Sequence, residues 1–575
     1  MATTEQVTTP RTEVGPGYKW MALSNTTLGA FMAFLNQTIV LISLPVIFRG
    51  LGVDPVGSGQ TSLLLWLLMS YNVASTISLA TIGRISDTYG KVRFYNLGFV
   101  VFTVGSLLCA LTPGTGDSGA YELIAFRFVQ GIGGAFLMAN GAAILTDAFP
   151  RNQRGLALGL NQVIGLAGGV VGLVGGGLLA TLNWRFVFLV NVPVGIFGAI
   201  WAFRQLKDLG ERDPKSLDVV GNVTFAAGLL ALLIGTTYAL LPYGGQSMGW
   251  TNPLVVGCLV ASVLLLAAFV YVESRVEHPM LHLSLFRIRD FWAGNLAGFL
   301  ASVGRGGLQF ILVIWLQGVW LPLHGVKFSD TPLQAGLDTL PMMAGFLIAG
   351  PAGGALSDRI GARGIATSGM LVSAAGFLLL TTLPTDFAFS TFAFYLFITG
   401  IGMGMFAAPN TASIMSSVPA QYRAIASGMR ATFMNTGMVI SMGVFFTVVI
   451  SGLAGNLPGA LRSGLTSAGA PPGIIEAAAN LPPASALFAA LLGYNPFASL
   501  LTPNIAAHLT QATISRLQSP QFFSSLIGGP FTNSLHLVFY MAAAMALVAA
   551  VASALRSGGA SVKRQRSAIV APVAR

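Results

Sequence analysis

Few side chains in this 575-residue sequence can do chemistry away from water, and most of them stand alone. Arg127 and Arg305 lie inside long apolar runs, and Asp338 and Glu122 lie within about two helical turns of the ends of theirs. Moving a proton across a barrier needs a group that titrates while it faces each side in turn, so Asp338 first and Glu122 second are the candidates. The plain alternative for either is a solvated carboxylate at a helix end. An arginine so placed must face a cavity or a partner, since burying it alone at a helix centre costs at least about 2.5–3.5 kcal/mol. Snorkelling outward is the plain alternative for Arg127. Arg185 and Arg430 fall near run ends, where snorkelling is expected. The five histidines are scattered, and the two cysteines, Cys109 and Cys258, sit in apolar runs. No disulfide framework, zinc site, nucleophile–base cluster or phosphate-cradling loop is expected, which argues against an enzyme and against any cofactor.

The elements that hold these residues are set by composition. Charged residues are 9% of the chain and hydrophobic ones 54%, against roughly 25% charged in soluble domains. Fourteen apolar runs reach the length of about 20 residues that crosses a bilayer as a helix. Their limits are 20–46, 61–82, 94–112, 121–146, 156–181, 184–204, 219–241, 253–272, 291–317, 332–356, 365–384, 389–410, 424–452 and 534–556. Most of the 30 Lys and Arg fall in gaps on one side, and only Arg49, Lys327, Arg462 and Arg516 fall in gaps on the other. Both termini are therefore expected in the cytoplasm. The net charge of +11 belongs to these gaps rather than to a soluble basic face, so no nucleic-acid partner is expected. The polar start, residues 1–18, lacks an apolar centre and reads as a cytoplasmic tail rather than a cleavable signal. Residues 453–533, rich in Pro, Gly and Ala, read as an extracytoplasmic loop with short interfacial helices. Pro482, Pro483 and Pro496 argue against a fifteenth span there. A basic cytoplasmic tail, 557–575, ends the chain.

An internal repeat organises the spans. Gly83-Arg-Ile-Ser-Asp87-Thr-Tyr-Gly90-Lys91-Val-Arg93 joins spans 2 and 3, and Gly354-Ala-Leu-Ser-Asp358-Arg359-Ile-Gly361-Ala-Arg363 joins spans 10 and 11. Both read as short charged loops in which glycine permits a tight turn and the aspartate pairs in one state only. Matching them makes spans 9–14 a second copy of spans 1–6. The expected architecture is an all-α membrane protein of two pseudo-symmetric six-helix bundles plus two inserted helices. The boundaries are 19–205 for the first bundle, 206–272 for a cytoplasmic loop and the inserted pair, and 273–452 with 534–556 for the second. The repeat places Arg305 about two residues from the image of Asn36, with both facing a central cavity.

On these motifs the chain resembles the major facilitator superfamily, and within it the fourteen-span drug:proton antiporters. Arg127-Phe-Val-Gln130-Gly131-Ile-Gly133-Gly134 is similar to the family's span-4 motif, whose arginine is assigned there to proton transfer or coupling. The segment from Trp184 to Gly195 opens span 6 as it does in the family, and Leu217-Asp218-Val-Val-Gly221 and residues 273–291 resemble the flanks of spans 7 and 8. Two positions depart from the pattern. Asn36 stands where the family carries an aspartate, and an amide cannot take up a proton at working pH. Leu173 stands where the span-5 motif has its proline, beside the packing glycines Gly168, Gly172, Gly176 and Gly177.

The resemblance implies an exporter of hydrophobic or amphipathic compounds, drugs included, in a bacterial inner membrane and in exchange for protons. Its expected partners are the lipid bilayer, such small molecules and protons, and it is expected to act as a monomer. Candidate cavity residues are Phe31, Phe34, Gln37, Asn140, Gln162, Phe310, Gln317 and Met343, with Arg305 held by Asp338, by carbonyls or waters, or by an anionic substrate group. Asn36 and Leu173 keep open a weakly coupled or uncoupled exporter or flippase of lipid-like molecules. A receptor or scaffold with the same fold is the reading outside transport.

Overall fold

A chain in lipid must satisfy each backbone N–H and C=O within its own segment, and the helix does so. The computed structural model describes residues 15, 17–53, 60–150, 153–209, 218–246, 248–276, 283–419, 422–501 and 508–557. Among these residues there is no β-strand, and fourteen helices are long and apolar enough to cross a membrane. The first seven are α1 (Tyr18–Leu51), α2 (Gln60–Tyr89), α3 (Lys91–Ala110), α4 (Gly116–Ala148), α5 (Arg154–Leu182), α6 (Phe186–Gln205) and α7 (Val219–Ala239). They are followed by α8 (Pro253–Glu273), α9 (Arg289–Leu323), α10 in two pieces (Thr331–Asp338 and Leu340–Ile360), α11 (Ala362–Leu380), α12 (Phe389–Ser417), α13 (Arg423–Ser467) and α14 (Pro520–Ala554).

The repeat in sequence is a repeat in packing. In the first half α1 packs on α5, α4 and α6, α2 on α4, and α3 on α4 and α6. In the second half α9 packs on α13, α12 and α14, α10 on α12, and α11 on α12 and α14, which are the same pairs eight helices later. The inserted helices α7 and α8 pack on each other, and α7 also reaches α2 and α13.

Both repeated motifs were expected as loops and are instead helix. The helical turns run on to Tyr89 and Ile360, and the next helices begin at Lys91 and Ala362, so each joint is a single glycine. Gly90 (φ 113°, ψ 122°) and Gly361 (φ 95°, ψ 147°) hold backbone conformations that only glycine adopts without strain. The sequence pattern locates the joint but does not say how much of it is turn.

The segment 453–533 also departs from its reading as an interfacial loop. Span 13 continues to Ser467 and the last span starts at Pro520. Between them Pro472–Ala479 and Pro483–Leu492 form helices bent by 100° from one another. All ten residues of Pro483–Leu492 are buried, and the helix touches α1 and α2 of one half and α9, α13 and α14 of the other. It is a plug at the end of the bundle opposite the chain termini, hereafter the plug side. The prolines that argued against a fifteenth span sit at N-caps and first turns of short helices, where the missing N–H costs nothing.

Glycines bring α5 onto α1. A Cβ at Gly168 would overlap the carbonyl of Phe31, and one at Gly172 would lie 2.6 Å from the Leu35 carbonyl oxygen. The close approach lets Thr38 donate to the Gly169 carbonyl at 2.9 Å and Ser43 to that of Gly176 at 3.0 Å. Gly172→Val is therefore expected to force the two helices apart, costing about 1–3 kcal/mol. The check is a lowered melting temperature in detergent, with Gly175→Val as control because a Cβ there meets nothing within 4 Å.

Candidate functional site

The polar centre of the first half is built from four helices. Asn36 on α1 donates through Nδ2 to Oε1 of Gln130 on α4 at 3.2 Å, and Arg127 Nη1 donates to the same oxygen at 3.0 Å. Gln130 Nε2 donates to Ser106 Oγ on α3 at 2.8 Å, and the Arg127 guanidinium lies 5.0 Å from the centre of the Tyr71 ring on α2. Asn36 and Gln130 are 0% exposed and Arg127 is 1% exposed. Spacing on α4 dictates part of this, because positions three apart share a helix face. Asn36, Arg127 and Gln130 are thus brought together, and Arg127 does not snorkel. Asn36 Oδ1 and Arg127 Nε have no partner. An amide triangle around a guanidinium can orient a dipole but offers no carboxylate to carry a proton.

In the second half, Arg305 and Arg430 make no ion pair among the described residues. Arg305 on α9 lies with its guanidinium 5.5 Å from the ring centre of Phe346 on α10, is half-buried, and makes no ion pair or hydrogen bond among the described residues. Arg430 on α13 donates from Nη1 to Sδ of Met434 on its own helix at 2.8 Å, while its Nε is unpartnered. The pairing of Arg305 with Asp338 is not formed. Asp338 is buried at 3% exposure, its Oδ1 accepts from Gln334 Nε2 at 3.0 Å, and its Oδ2 has no partner. It ends the first piece of α10, which packs on α5 and α1 toward the plug side. Glu122 is engaged elsewhere, accepting the Gly114 N–H at 3.1 Å in the α3–α4 turn.

The candidate cavity residues divide by height. Gln37 bridges the halves, donating from Nε2 to Asn72 Oδ1 at 2.8 Å and to Met438 Sδ of α13 at 3.4 Å. Phe31 and Phe34 pack on the α5 glycines Gly168 and Gly165. Gln162 is half-buried, and Asn140 donates to the Phe136 carbonyl at 2.9 Å with its Oδ1 unpartnered. Of the three others, Gln317 belongs to a seal between the halves, and Phe310 and Met343 are buried in the core. Gln317 donates to the Ile42 carbonyl across the halves at 3.2 Å, Phe310 lies 5.0 Å from Phe446, and Met343 is packed in the core. Gly177 completes this seal, since a Cβ there would overlap the α10 backbone at Leu333. Leu173, in the proline's place, presents its carbonyl to Gly336 of α10.

At the joints, Lys91 Nζ pairs with Asp147 Oδ2 at 2.8 Å, tying α3 to the end of α4. Asp147 was not among the expected residues. Its place before Phe149-Pro150 at the end of span 4 was the available signal. Arg93, Arg359 and Arg363 are exposed beside the joints, Gly83 is half-buried in the last turns of α2, and the side chains of Asp87 and Asp358 lie outside the described residues. A groove of about 1080 Å³ lies on the flank of α2, α3 and α6 beside the first joint, lined by Tyr89, Arg93, Leu97, Phe203 and Arg204.

Two six-helix halves with one packing scheme, glycine joints at matching places and polar groups at mid-height are the frame of a known family, and the Major Facilitator Superfamily pattern matches residues 26–442. The chain belongs to the major facilitator superfamily. Among curated relatives of this facilitator, the multidrug transporter protein MdtP of Bacillus subtilis is 29% identical over 92% of each chain. The riboflavin transporter RibZ of Clostridioides difficile is 28% identical over 76% of this chain and 90% of its own length. The tetracenomycin C resistance and export protein of Streptomyces glaucescens is 28% identical over 76% and 77%. A crystal structure of a bacterial homologue of the human lysosomal transporter Spinster, inward-facing and unoccupied, superposes with a TM-score of 0.56 at 16% identity. That alignment covers 95% of this chain and 100% of the other, and carries the fold alone.

Proposed function

We propose that this facilitator exports hydrophobic or amphipathic compounds across a bacterial plasma membrane by alternating access, in exchange for protons, with both termini in the cytoplasm. The observation that carries the reading is the seal between the halves. α5 and α1 meet the first piece of α10, and Gln317 reaches Ile42, all toward one end of a midplane that holds Gln37, Met438 and Arg305. Relatives named for multidrug transport and for tetracenomycin C export support the substrate class. Asn36 cannot serve as the proton carrier, so Asp338 is assigned that role. Taking an ionised carboxylate out of water is costly unless it is paired, which links closure of this seal to proton uptake at Asp338.

One observation favours a second reading. The buried Asn36–Gln130–Arg127 network contains no acid, which fits an uncoupled or weakly coupled exporter or flippase of lipid-like molecules. Efflux of a fluorescent amphipathic dye from loaded cells, with and without a proton uncoupler, separates the two. Antiport predicts efflux that falls at least about tenfold with the uncoupler and in Asp338→Asn. Efflux unchanged by both removes the proton from the mechanism and leaves the second reading.

A further inference from the structure

The second half holds two arginines that the seal does not use, and their placement says what kind of head group the path accepts. Gly437, Met438 and Ser441 of α13 all touch α9: an added Cβ at Gly437 would lie 2.9 Å from the Phe299 carbonyl oxygen, one at Gly306 would lie 2.8 Å from Met438, and Ser441 donates to the Val303 carbonyl. Arg430 and Met434 continue the stripe of Met438 at four-residue spacing, so they lie along the same face of α13. Met438 also touches Gln37 of the first half, so this stripe borders the boundary between the halves. Next to Arg430, Ala431 packs against the cluster of Leu79, Ile82 and Ala135 of the first half. Arg305 stands beside the Gly306–Met438 contact at mid-height. Arg430 lies eight residues from Met438, about 12 Å nearer the side of the termini.

Neither arginine has a counter-charge among the described residues: no carboxylate is within ion-pair distance of either. Asp290, at the start of α9, accepts the Ser557 N–H at 2.6 Å and lies near Arg556. Asp338 is held by Gln334. Asp358 lies twelve residues, about 18 Å of helix, beyond Phe346. Each guanidinium group touches a soft, apolar side chain, Phe346 for Arg305 and Met434 for Arg430, and Met438 continues that stripe beside Gly306. A half-buried guanidinium with free N–H groups beside such surface attracts a carboxylate, sulfonate or phosphate oxygen and repels a cation. Thioether and ring surfaces suit an adaptable apolar tail.

We propose that the transport path selects amphipathic anions, whose acidic head engages Arg430 near the terminal side and then Arg305 at mid-height while the apolar body lies on Met434, Met438 and Phe346. The inference rests on the export reading above and narrows its substrate class. Two weak stations in series let a head group enter and leave without a trap, as multi-site conduction requires.

The test uses three dansyl amphiphiles of one chain length: 11-(dansylamino)undecanoic acid, its methyl ester and the corresponding amine. Binding to the purified full-length chain in detergent is read by dansyl fluorescence, and transport in proteoliposomes is read separately. The acid is expected to bind at least about tenfold more tightly than the ester, with the amine weakest. In Arg305→Gln/Arg430→Gln that preference should fall to within about twofold while ester affinity is kept, and Arg305→Lys/Arg430→Lys should restore most of it. Equal binding of acid and ester by the wild-type chain overturns the proposal without any variant, as does a preference that survives the double glutamine variant. Transport of the ester or amine but not the acid overturns the proposal and leaves the export reading standing. Transport of none of the three, with the acid still bound preferentially, counts against export instead.

Discussion

Replacing residues 483–492 by a glycine–serine linker of equal length is expected to open the plug side and to abolish productive export. The replaced helix is wholly buried, and Leu487, Phe488, Leu491 and Leu492 are each at most 4% exposed. Burying four such side chains contributes about 6–12 kcal/mol against leaving them in water. Phe488 stacks on Phe446 at 5.8 Å, and Phe446 meets Phe310 at 5.0 Å, so one aromatic row joins plug, α13 and α9. The π-helical turn Leu316–Trp320 in α9 places Gly318 where a Cβ would lie 3.0 Å from the Ala490 carbonyl carbon. The segment is also tied down beyond its end, where Asn495 Nδ2 donates to the carbonyls of Leu517 at 2.6 Å and Ser519 at 3.0 Å.

Because the plug touches both halves, its loss removes contacts that hold them together in this closed arrangement. The equilibrium therefore shifts toward the open one. The measurement is labelling of Ile42→Cys by a membrane-impermeant maleimide applied from the plug side, in a chain with Cys109 and Cys258 replaced by serine. Ile42 is 0% exposed in the closed arrangement, and its labelling is expected to speed up at least about tenfold in the linker variant. Unchanged labelling with normal export would make the plug a passenger.

How far the sequence disclosed this molecule depends on what each signal physically constrains. Spans are legible because backbone desolvation demands about 20 apolar residues in a row. The repeated Ser-Asp motif located both joints, yet a motif does not report that helix continues to Tyr89 and Ile360 and breaks at one glycine. Short helices were expected in 453–533 from its prolines, but that Pro483–Leu492 is buried between the halves rather than interfacial is set by tertiary packing, which the local sequence does not report. Gln317, Phe310 and Met343 have the residue types of a cavity wall, but apolar periodicity is the same for a wall, a seal and a packed core. Arg127 and Gln130 were legible through the resemblance of their segment to the family's span-4 motif, whereas Tyr71, Asn72 and Ser106, which complete the polar contacts, are distant in sequence and carry no pattern of their own.

Gln130→Leu is expected to destabilise the chain by about 3 kcal/mol, the second large effect, because one oxygen serves two donors. Its Oε1 accepts from both Asn36 and Arg127, and removing it leaves a fully buried guanidinium facing only the Tyr71 ring. Losing one partner of a buried polar set costs the desolvation of whatever stays behind. Replacing the set together is far cheaper. Arg127→Met/Gln130→Leu should therefore melt within a few degrees of the wild type while the single variant melts well below it. Export then separates the two roles of this network. If Arg127 takes part in the transport cycle, the double variant folds and does not transport; if the arginine only fills its place in the bundle, transport returns with stability. A double variant as unstable as Gln130→Leu would show that Gln130 acts through Asn36 and Ser106 rather than through Arg127, since its Oε1 also accepts from Asn36 at 3.2 Å and its Nε2 donates to Ser106 at 2.8 Å.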